Sequence, residues 1–194
     1  MKFARHRTAV SMRRDRQRYL NDTEARFRML VLVTLVMQEL GVRYNQKFMA
    51  GDFDARDSGN LLLHGILTGR GGTCVTMPVL YAAIGRRLGY PLFLCYSNAH
   101  VFLRWEQPAE RFNMDATAWG FLEESDEYFR NFVCPLRKSD TTRGYLTNLT
   151  PRQELACLLA QRGRCLLDHL RFAESAKHFM QVHCGSSPGS SETS

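Results

Sequence analysis

The sequence has no apolar run long enough to cross a membrane. Its most apolar stretch, residues 29–37, is nine residues long, whereas a membrane-spanning helix needs about 20 residues. The first twenty residues are basic and contain no apolar core segment, so they do not have the pattern of a secretory signal. We therefore expect neither a membrane anchor nor a secreted protein.

The spacings typical of metal sites are also missing. No CxxC pair or Cys/His cluster has the spacing of a zinc site. No acidic loop has the spacing of a calcium site, so activation by calcium is not expected. The sequence therefore predicts a protein without a metal or organic cofactor.

The cysteines favour a reduced, cytoplasmic protein. An even number of six would allow disulfide bonds: Cys74, Cys95, Cys134, Cys157, Cys165 and Cys184. However, Cys157 and Cys165 lie eight residues apart in a helical pattern, which is about 12 Å along the helix axis and too far for one bond. Because no secretory signal is visible, free thiols in the cytoplasm are the expected state.

Positive charge is concentrated at the N-terminus. The chain of 194 residues has a formal net charge of +7, and residues 1–28 contain nine Arg or Lys against three Asp or Glu. A solvated basic arm over residues 1–20 is the preferred interpretation, and binding to nucleic acid is the alternative. No aromatic residues alternate with the arginines, and no DNA-binding motif spacing is present, so we do not expect a nucleic-acid partner.

The order of helix and strand signals predicts an α+β fold in which helices precede an antiparallel meander. An all-round apolar middle predicts that the first helix, residues 21–40, is central and buried. Pro78 would clash with the Cys74 carbonyl if the next long helix began at Thr73. Either the first turn of that helix is irregular, or Thr76 is its cap and Cys74 lies just before it. The remaining predicted elements are a short helix at 59–67, strands at 91–96, 100–105 and 111–115, and helices at 152–167 and 172–183.

Three residues have the types and the order that thiol chemistry needs. Cys74 follows the small-residue turn at residues 69–72, His100 opens a predicted strand, and Asp115 ends the next one. A thiol nucleophile needs an imidazole to take its proton and a carboxylate to orient that imidazole. A helix N-terminus would also favour the thiolate, and the Cys74 backbone N–H could bind an oxyanion.

Each of these residues also has an ordinary structural interpretation. Cys74 could be a small buried apolar residue, His100 a structural histidine and Asp115 a turn or cap residue. Their joint occurrence on these elements favours a catalytic triad. We interpret four further cysteines as structural: Cys95, Cys134, Cys157 and Cys165. Four further histidines are interpreted as surface or packing residues: His64, His169, His178 and His183.

The same region resembles a known family. Residues 61–91, with Gly71-Gly72-Thr73-Cys74 and the ending Leu88-Gly89-Tyr90-Pro91, resemble the nucleophile region of bacterial transglutaminase-like proteins. Residues 100–105 resemble the family's histidine strand, and residues 112–117 resemble its acid strand. The resemblance covers roughly residues 55–120.

This resemblance implies a papain-like α+β core in which a nucleophile helix packs on an antiparallel sheet. It implies acyl transfer at an amide of a peptide or protein, with Cys74, His100 and Asp115 as nucleophile, base and orienting acid. Gly72, Thr73 and Asn60 are assigned to the oxyanion and substrate site, and Gln46 is an alternative to Asn60. The superfamily contains transglutaminases, peptidases, amidases and members without catalysis, so the resemblance does not select a reaction.

The C-terminal segment resembles a single tetratricopeptide-type helical pair. We therefore divide the chain into a basic arm (1–20), a transglutaminase-like domain (21–149), the helical pair (150–184) and a flexible tail (185–194). One repeat cannot bury a solenoid core, so the pair is expected to pack on the catalytic domain. The alternative to an enzyme is a non-catalytic interaction or regulatory module that binds a protein through this pair.

Overall fold

A computed structural model describes residues 23–49, 54–117, 120–132 and 144–186. The predicted basic arm and the predicted tail beyond residue 186 lie outside these residues, as does Cys134. The predicted α+β class is confirmed, because helices precede and follow an antiparallel sheet along the chain. The elements in chain order are α1 (Glu24–Thr34) with a π-helical continuation (Leu35–Glu39), α2 (Gln46–Met49), α3 (Ser58–Leu61), α4 (His64–Leu67), α5 (Thr76–Arg87), β1 (Leu92–Ser97), β2 (His100–Gln107), β3 (Glu110–Met114), β4 (Glu123–Glu124), α6 (Asp126–Asn131), α7 (Pro151–Asp168) and α8 (Phe172–Ser186).

The sheet has the order β1-β2-β3-β4, with every neighbouring pair antiparallel. A two-residue turn joins β1 to β2, and Ala99 in this turn has a positive φ of 59°. The register pairs Ser97 with His100 at the turn and Leu92 with Trp105 at the other end of the hairpin. The three longer strands therefore form the predicted meander, and β4 adds a two-residue strand that the sequence did not predict.

Helix α1 buries one face rather than its whole circumference. Thr23 caps the helix by accepting a hydrogen bond from the backbone N–H of Arg26. One stripe faces the core, whereas Leu35 is 50% exposed and Leu40 is 67% exposed. The prediction of a central buried helix is therefore confirmed in position, since α1 packs in the main core, but its burial does not extend to every side. The residues of the buried stripe are Ala25, Met29, Leu32, Val33 and Val36.

The main core lies between α1, α5 and one face of the sheet. Met29, Tyr81 and Leu103 are among its almost fully buried side chains. The opposite face of the sheet is covered as well, because Cys95, Phe102 and Phe129 form a second buried cluster under α6. Strand β2 is consequently buried on both faces from His100 to Trp105. This double cover brings the first residue of β2, His100, into the protein interior.

The C-terminal helical pair is present and packs on the rest of the chain. Thr150 and Gln153 form a capping box, and Pro151 occupies the first turn of α7, where its missing N–H costs no helix bond. Cys157 of α7 belongs to the main core, and Glu154 forms an ion pair with Arg86 of α5 at 2.6 Å. Within the described ranges, no helix has the length and apolar character needed to cross a bilayer.

Candidate active site

The predicted nucleophile lies two residues before helix α5, in the turn that leads into it. We call residues 71–75 the nucleophile turn. The Thr73 hydroxyl accepts hydrogen bonds from the backbone N–H groups of Val75 and Thr76 at 3.3 Å, and the Thr73 N–H donates to the Thr76 hydroxyl at 2.8 Å. These reciprocal bonds begin the helix at Thr76, so Cys74 precedes it. Pro78 occupies the third helical position, between Met77 and Val79, whose N–H groups donate to the Thr73 and Val75 carbonyls. The bond that the proline cannot make is therefore the one to the Cys74 carbonyl.

An upstream segment, residues 42–45, pairs with the nucleophile turn. Tyr44 forms a parallel bridge with Gly72. The Gly72 N–H donates to the Arg43 carbonyl, and the Asn45 N–H donates to the Gly72 carbonyl, both at 2.8 Å. Gly71 has a φ of +89°, and a Cβ at this position would lie 2.8 Å from the Arg43 carbonyl oxygen. Only glycine permits this approach.

Burial raises the pKa of the half-buried Cys74 thiol, and the nearby charge of Asp115 raises it further. The backbone N–H of Cys74 acts in the opposite direction and lowers the pKa. The net direction is upward. A thiolate stabilised at a helix N-terminus would have a lowered pKa. Because Cys74 precedes the helix and its sulfur is largely removed from water, desolvation is the larger effect in the free protein.

His100 and Asp115 lie side by side in the interior. The distance from His100 Nε2 to Asp115 Oδ1 is 3.5 Å, and the two side chains are 3% and 5% exposed. The contact is too long and poorly aligned for a hydrogen bond and is electrostatic in character. Leu103 of β2 pairs with Met114 of β3. Extending this register by one residue puts Asp115 opposite Phe102, so Asp115 is a diagonal neighbour of His100 and does not lie directly opposite it.

The Asp115 carboxylate is held in place by Thr117. Its Oδ1 accepts hydrogen bonds from the Thr117 backbone N–H at 2.9 Å and the Thr117 hydroxyl at 2.7 Å. Burial alone would raise the pKa of Asp115, but the contacts with His100 and Thr117 outweigh it, and the pKa is lowered. The carboxylate therefore remains charged at neutral pH and can stabilise a protonated His100.

Aromatic side chains hold the His100 ring. Phe129 stacks on it at a centroid distance of 6.0 Å, and Phe132 meets it edge-on at 4.7 Å. Helix α6, which carries Phe129, is tied to the sheet by Asp126, whose carboxylate accepts from the buried Arg104 guanidinium at 2.6 Å. The ion pair between Arg104 and Asp126 thus positions α6 and, with it, the Phe129 ring that packs on His100.

Asp115 links the two other predicted catalytic residues. It contacts His100 directly, and its charge raises the pKa of Cys74. In the part of the chain that the structure describes, no hydrogen bond joins Cys74 Sγ to the His100 ring. Because Nε2 faces Asp115, Nδ1 is the ring nitrogen left for proton exchange with a thiol.

The residues assigned to the oxyanion and substrate site are distributed around the nucleophile turn. Gly72 and Thr73 are buried, with their polar groups bonded within the turn and to residues 42–45. Asn60 lies on α3, where its Nδ2 donates to the Asp54 carbonyl at 2.9 Å and its Oδ1 accepts from Asn45 at 3.1 Å. A contact of these residues with substrate stays a prediction.

A cavity of about 490 Å³ opens beside the nucleophile turn. Gly71 and Tyr44 form part of its wall, and both Asn60 and Gln46, the alternative assignment, also line it. Its volume is within the range of about 300–1,000 Å³ typical of ligand-binding cavities. Of the residues assigned to the oxyanion and substrate site, Asn60 lines this cavity, whereas Gly72 and Thr73 are not part of its wall.

Sequence reasoning missed Tyr44. The Cys74 backbone N–H donates a hydrogen bond to the Tyr44 hydroxyl oxygen. Burial raises the pKa of Tyr44, the nearby Cys74 and Asp115 raise it further, and the bond from the Cys74 N–H opposes this increase. Tyr44 stands in a mixed, turn-rich stretch 30 residues before the cysteine, and no local pattern indicates that it reaches the nucleophile turn.

Sequence comparisons relate the chain to known proteins. Residues 5–160 match the profile of a family described as the transglutaminase-like superfamily. Mouse F-box only protein 21 is 35% identical over 83 residues, which are 42% of this chain and 13% of that protein. The Pongo abelii protein of the same name is 37% identical over 100 residues, which are 49% of this chain and 16% of that protein. No solved structure shows a significant match.

The human F-box only protein 21 is 39% identical over 83 residues, or 42% of this chain and 13% of that protein. The chain thus spans less than a fifth of the length of these curated relatives. These relatives are mammalian, whereas the resemblance noted in the sequence was to bacterial proteins.

Proposed function

Because the chain belongs to the transglutaminase-like superfamily, we propose that it is a cysteine-dependent acyl-transfer enzyme. Cys74 is the nucleophile, His100 the general base and Asp115 the orienting acid. The observation that supports this most directly is the buried Asp115 carboxylate, which contacts His100 Nε2 at 3.5 Å and whose charge also acts on Cys74. A buried carboxylate beside the histidine ring can orient the base and stabilise its protonated form, as the acid of a triad does.

The first chemical step forms a thioester. Since burial keeps the free thiol protonated, His100 removes its proton as Cys74 Sγ attacks the acyl carbon. The carbonyl electron pair moves to oxygen, and the resulting oxyanion accepts a hydrogen bond from the Cys74 backbone N–H. When the carbonyl re-forms, the leaving amine takes the proton from His100, and the acyl group stays on sulfur.

A second acceptor then releases the acyl group. Water gives hydrolysis and an amine gives transamidation, and in both cases His100 takes a proton from the attacking group while Cys74 leaves as the thiol. An amide of a peptide or protein is the proposed substrate class, and no metal or organic cofactor takes part. We propose a cytoplasmic location, where the thiol stays reduced.

The second candidate is a non-catalytic interaction module. The observation that favours it is the raised pKa of Cys74, since a scaffold has no need for an activated thiol. In this role the C-terminal helical pair, which resembles a tetratricopeptide pair, would bind a protein. Apolar side chains on its surface supply a contact area: Leu155, Leu170, Phe172 and Met180.

Acylation by an activated ester separates the two candidates. With p-nitrophenyl acetate as probe, we expect an acetyl group on Cys74, detected by intact mass and peptide mapping, and none there in Cys74→Ala. His100→Ala should slow the acetylation about 10²–10⁴-fold, the usual contribution of a general base.

Cys165→Ala and His178→Ala are the matched controls and should react like the wild type, because Cys165 lies in a separate small cluster and His178 is a half-buried residue of α8, outside the proposed triad. Acetylation of Cys74 at the rate of the buried Cys157 and Cys165, or an unchanged rate in His100→Ala, would favour the interaction module.

A further inference from the structure

We propose that the Tyr44 hydroxyl is the second hydrogen-bond donor to the oxyanion, beside the Cys74 backbone N–H. This inference rests on the proposed acyl transfer and names a catalytic residue for it. A tetrahedral intermediate on Cys74 places its negative oxygen within reach of the Cys74 N–H. Any other donor to that oxygen must therefore stand next to this N–H group.

The backbone around Tyr44 fixes its distance from the nucleophile. Tyr44 is bridged to Gly72, and the bonds of Arg43 and Asn45 to the Gly72 peptide flank it on both sides at 2.8 Å. Gly71 admits the close approach of this segment through its positive φ and missing side chain. Tyr44 is thus anchored by its backbone to the nucleophile turn that carries Cys74, so the distance between the two residues stays constant during a reaction.

The hydroxyl occupies the position that an acyl oxygen would take. In the free protein the Cys74 N–H donates to the Tyr44 oxygen, as it would to a carbonyl oxygen or an oxyanion. When an acyl group enters, the N–H can donate to the acyl oxygen, and the adjacent phenol O–H can donate to the same atom. The tyrosine keeps its proton, and no bond to it forms or breaks.

The protonation state of Tyr44 suits a donor. Burial and the nearby Cys74 and Asp115 keep the phenol protonated across the neutral range, because each of them raises its pKa. Tyr44 thus combines a position at the Cys74 N–H with a hydroxyl group that can donate.

A comparison of two reactions at the same sulfur tests the role. Acylation by p-nitrophenyl acetate passes through an oxyanion, whereas alkylation by iodoacetamide is a direct displacement at carbon and does not. Tyr44→Phe should lower the rate constant for Cys74 acylation on the order of 10²–10³-fold, the usual effect of losing one oxyanion donor. The rate of Cys74 alkylation should stay within about twofold, because both reactions need the same thiolate.

Tyr90→Phe is the matched control, since Tyr90 is a half-buried tyrosine packed on Trp105, and it should change neither rate. Equal slowing of acylation and alkylation in Tyr44→Phe would mean that Tyr44 only shapes the turn, and faster acylation would mean that its hydroxyl blocks the site; either result overturns the inference. A wild type that is not acylated at Cys74 removes the proposed function and this inference with it.

Discussion

At the scale of single residues, the environment of Cys74 decides how the thiol is activated. The sulfur is largely withdrawn from water, and the Asp115 carboxylate disfavours a second negative charge nearby. Both effects raise the pKa of Cys74 and favour the neutral thiol over the thiolate in the free protein. In the proposed mechanism, His100 acts as a base during the attack rather than before it.

The pH dependence of Cys74 alkylation measures this directly. Because the pKa of Cys74 is raised, only a small fraction of this thiol is ionised at neutral pH. The rate of its alkylation by iodoacetamide should therefore keep rising above about pH 8.5, the ordinary pKa of a cysteine thiol. Asp115→Asn should move the inflection to lower pH, since it removes a charge that raises the pKa. His100→Ala should leave the inflection in place.

Thr117→Val is a milder control that keeps the Asp115 charge while removing one of its hydrogen bonds, and it should shift the Cys74 inflection less than Asp115→Asn does. An inflection well below pH 8.5 that disappears in His100→Ala would instead demonstrate a preformed ion pair.

Residue types and their order were enough to select Cys74, His100 and Asp115 as candidates. The contact of His100 with Asp115 follows from two neighbouring strands, which the sequence signals included. Tyr44 could not be selected in this way, because its approach to Cys74 depends on pairing between segments almost thirty residues apart. No periodicity or turn signal encodes such a non-local contact.

At the scale of elements, the nucleophile turn depends on a glycine backed against another segment. Gly71→Ala forces a side chain into positive φ, at about 1–2 kcal/mol, and places its Cβ 2.8 Å from the Arg43 carbonyl oxygen. Overpacking of this kind costs a further 1–3 kcal/mol or so. We expect a clear loss of stability in urea unfolding and slower acylation of Cys74.

Gly69→Ala is the matched control for this prediction. Gly69 also has a positive φ, +79°, but a Cβ there meets no atom within 4 Å. Gly69→Ala should lower the free energy of unfolding only by the cost of a side chain at positive φ, and it should leave the acylation of Cys74 nearly unchanged. Equal losses for Gly69→Ala and Gly71→Ala would mean that the contact with residues 42–45 does not matter.

Local sequence signals predicted the existence of most helices and strands. They predicted less well where an element begins or ends and which of its sides is buried. Cys74 precedes α5, as one of the two arrangements expected from Pro78 has it, but Thr76 is the first helical residue and the Thr73 hydroxyl, not Thr76, caps the turn. The apolar circumference of α1 suggested full burial, but the neighbouring elements cover only one stripe, so Leu35 stays half exposed. Strand β4 has two residues, too few to show an alternating pattern.

At the scale of the whole molecule, the C-terminal helical pair and the sheet share one core. Cys157 of α7 packs in the main cluster, Arg86 and Glu154 join α5 to α7, and Asn148 just before α7 bridges to Cys95 of β1. Burial of apolar surface shared by two parts makes their unfolding cooperative. The predicted division at residues 149 and 150 should therefore not behave as a boundary between independent folding units.

Thiol labelling in urea tests this cooperativity. Cys95 in β1 is 0% exposed and Cys157 in α7 is 2% exposed, so each becomes reactive only when its own part opens. We expect both to be labelled with the same urea midpoint, and Arg86→Gln, which breaks the surface ion pair, to shift both midpoints together by the equivalent of about 0.2–1 kcal/mol. Labelling of Cys157 at clearly lower urea than Cys95, with Arg86→Gln widening the gap, would instead identify the helical pair as a separate unit that docks on a self-sufficient core. In that case the pair could detach to meet a partner protein while the remaining chain kept its nucleophile turn, and the interaction role proposed for it would gain a physical basis.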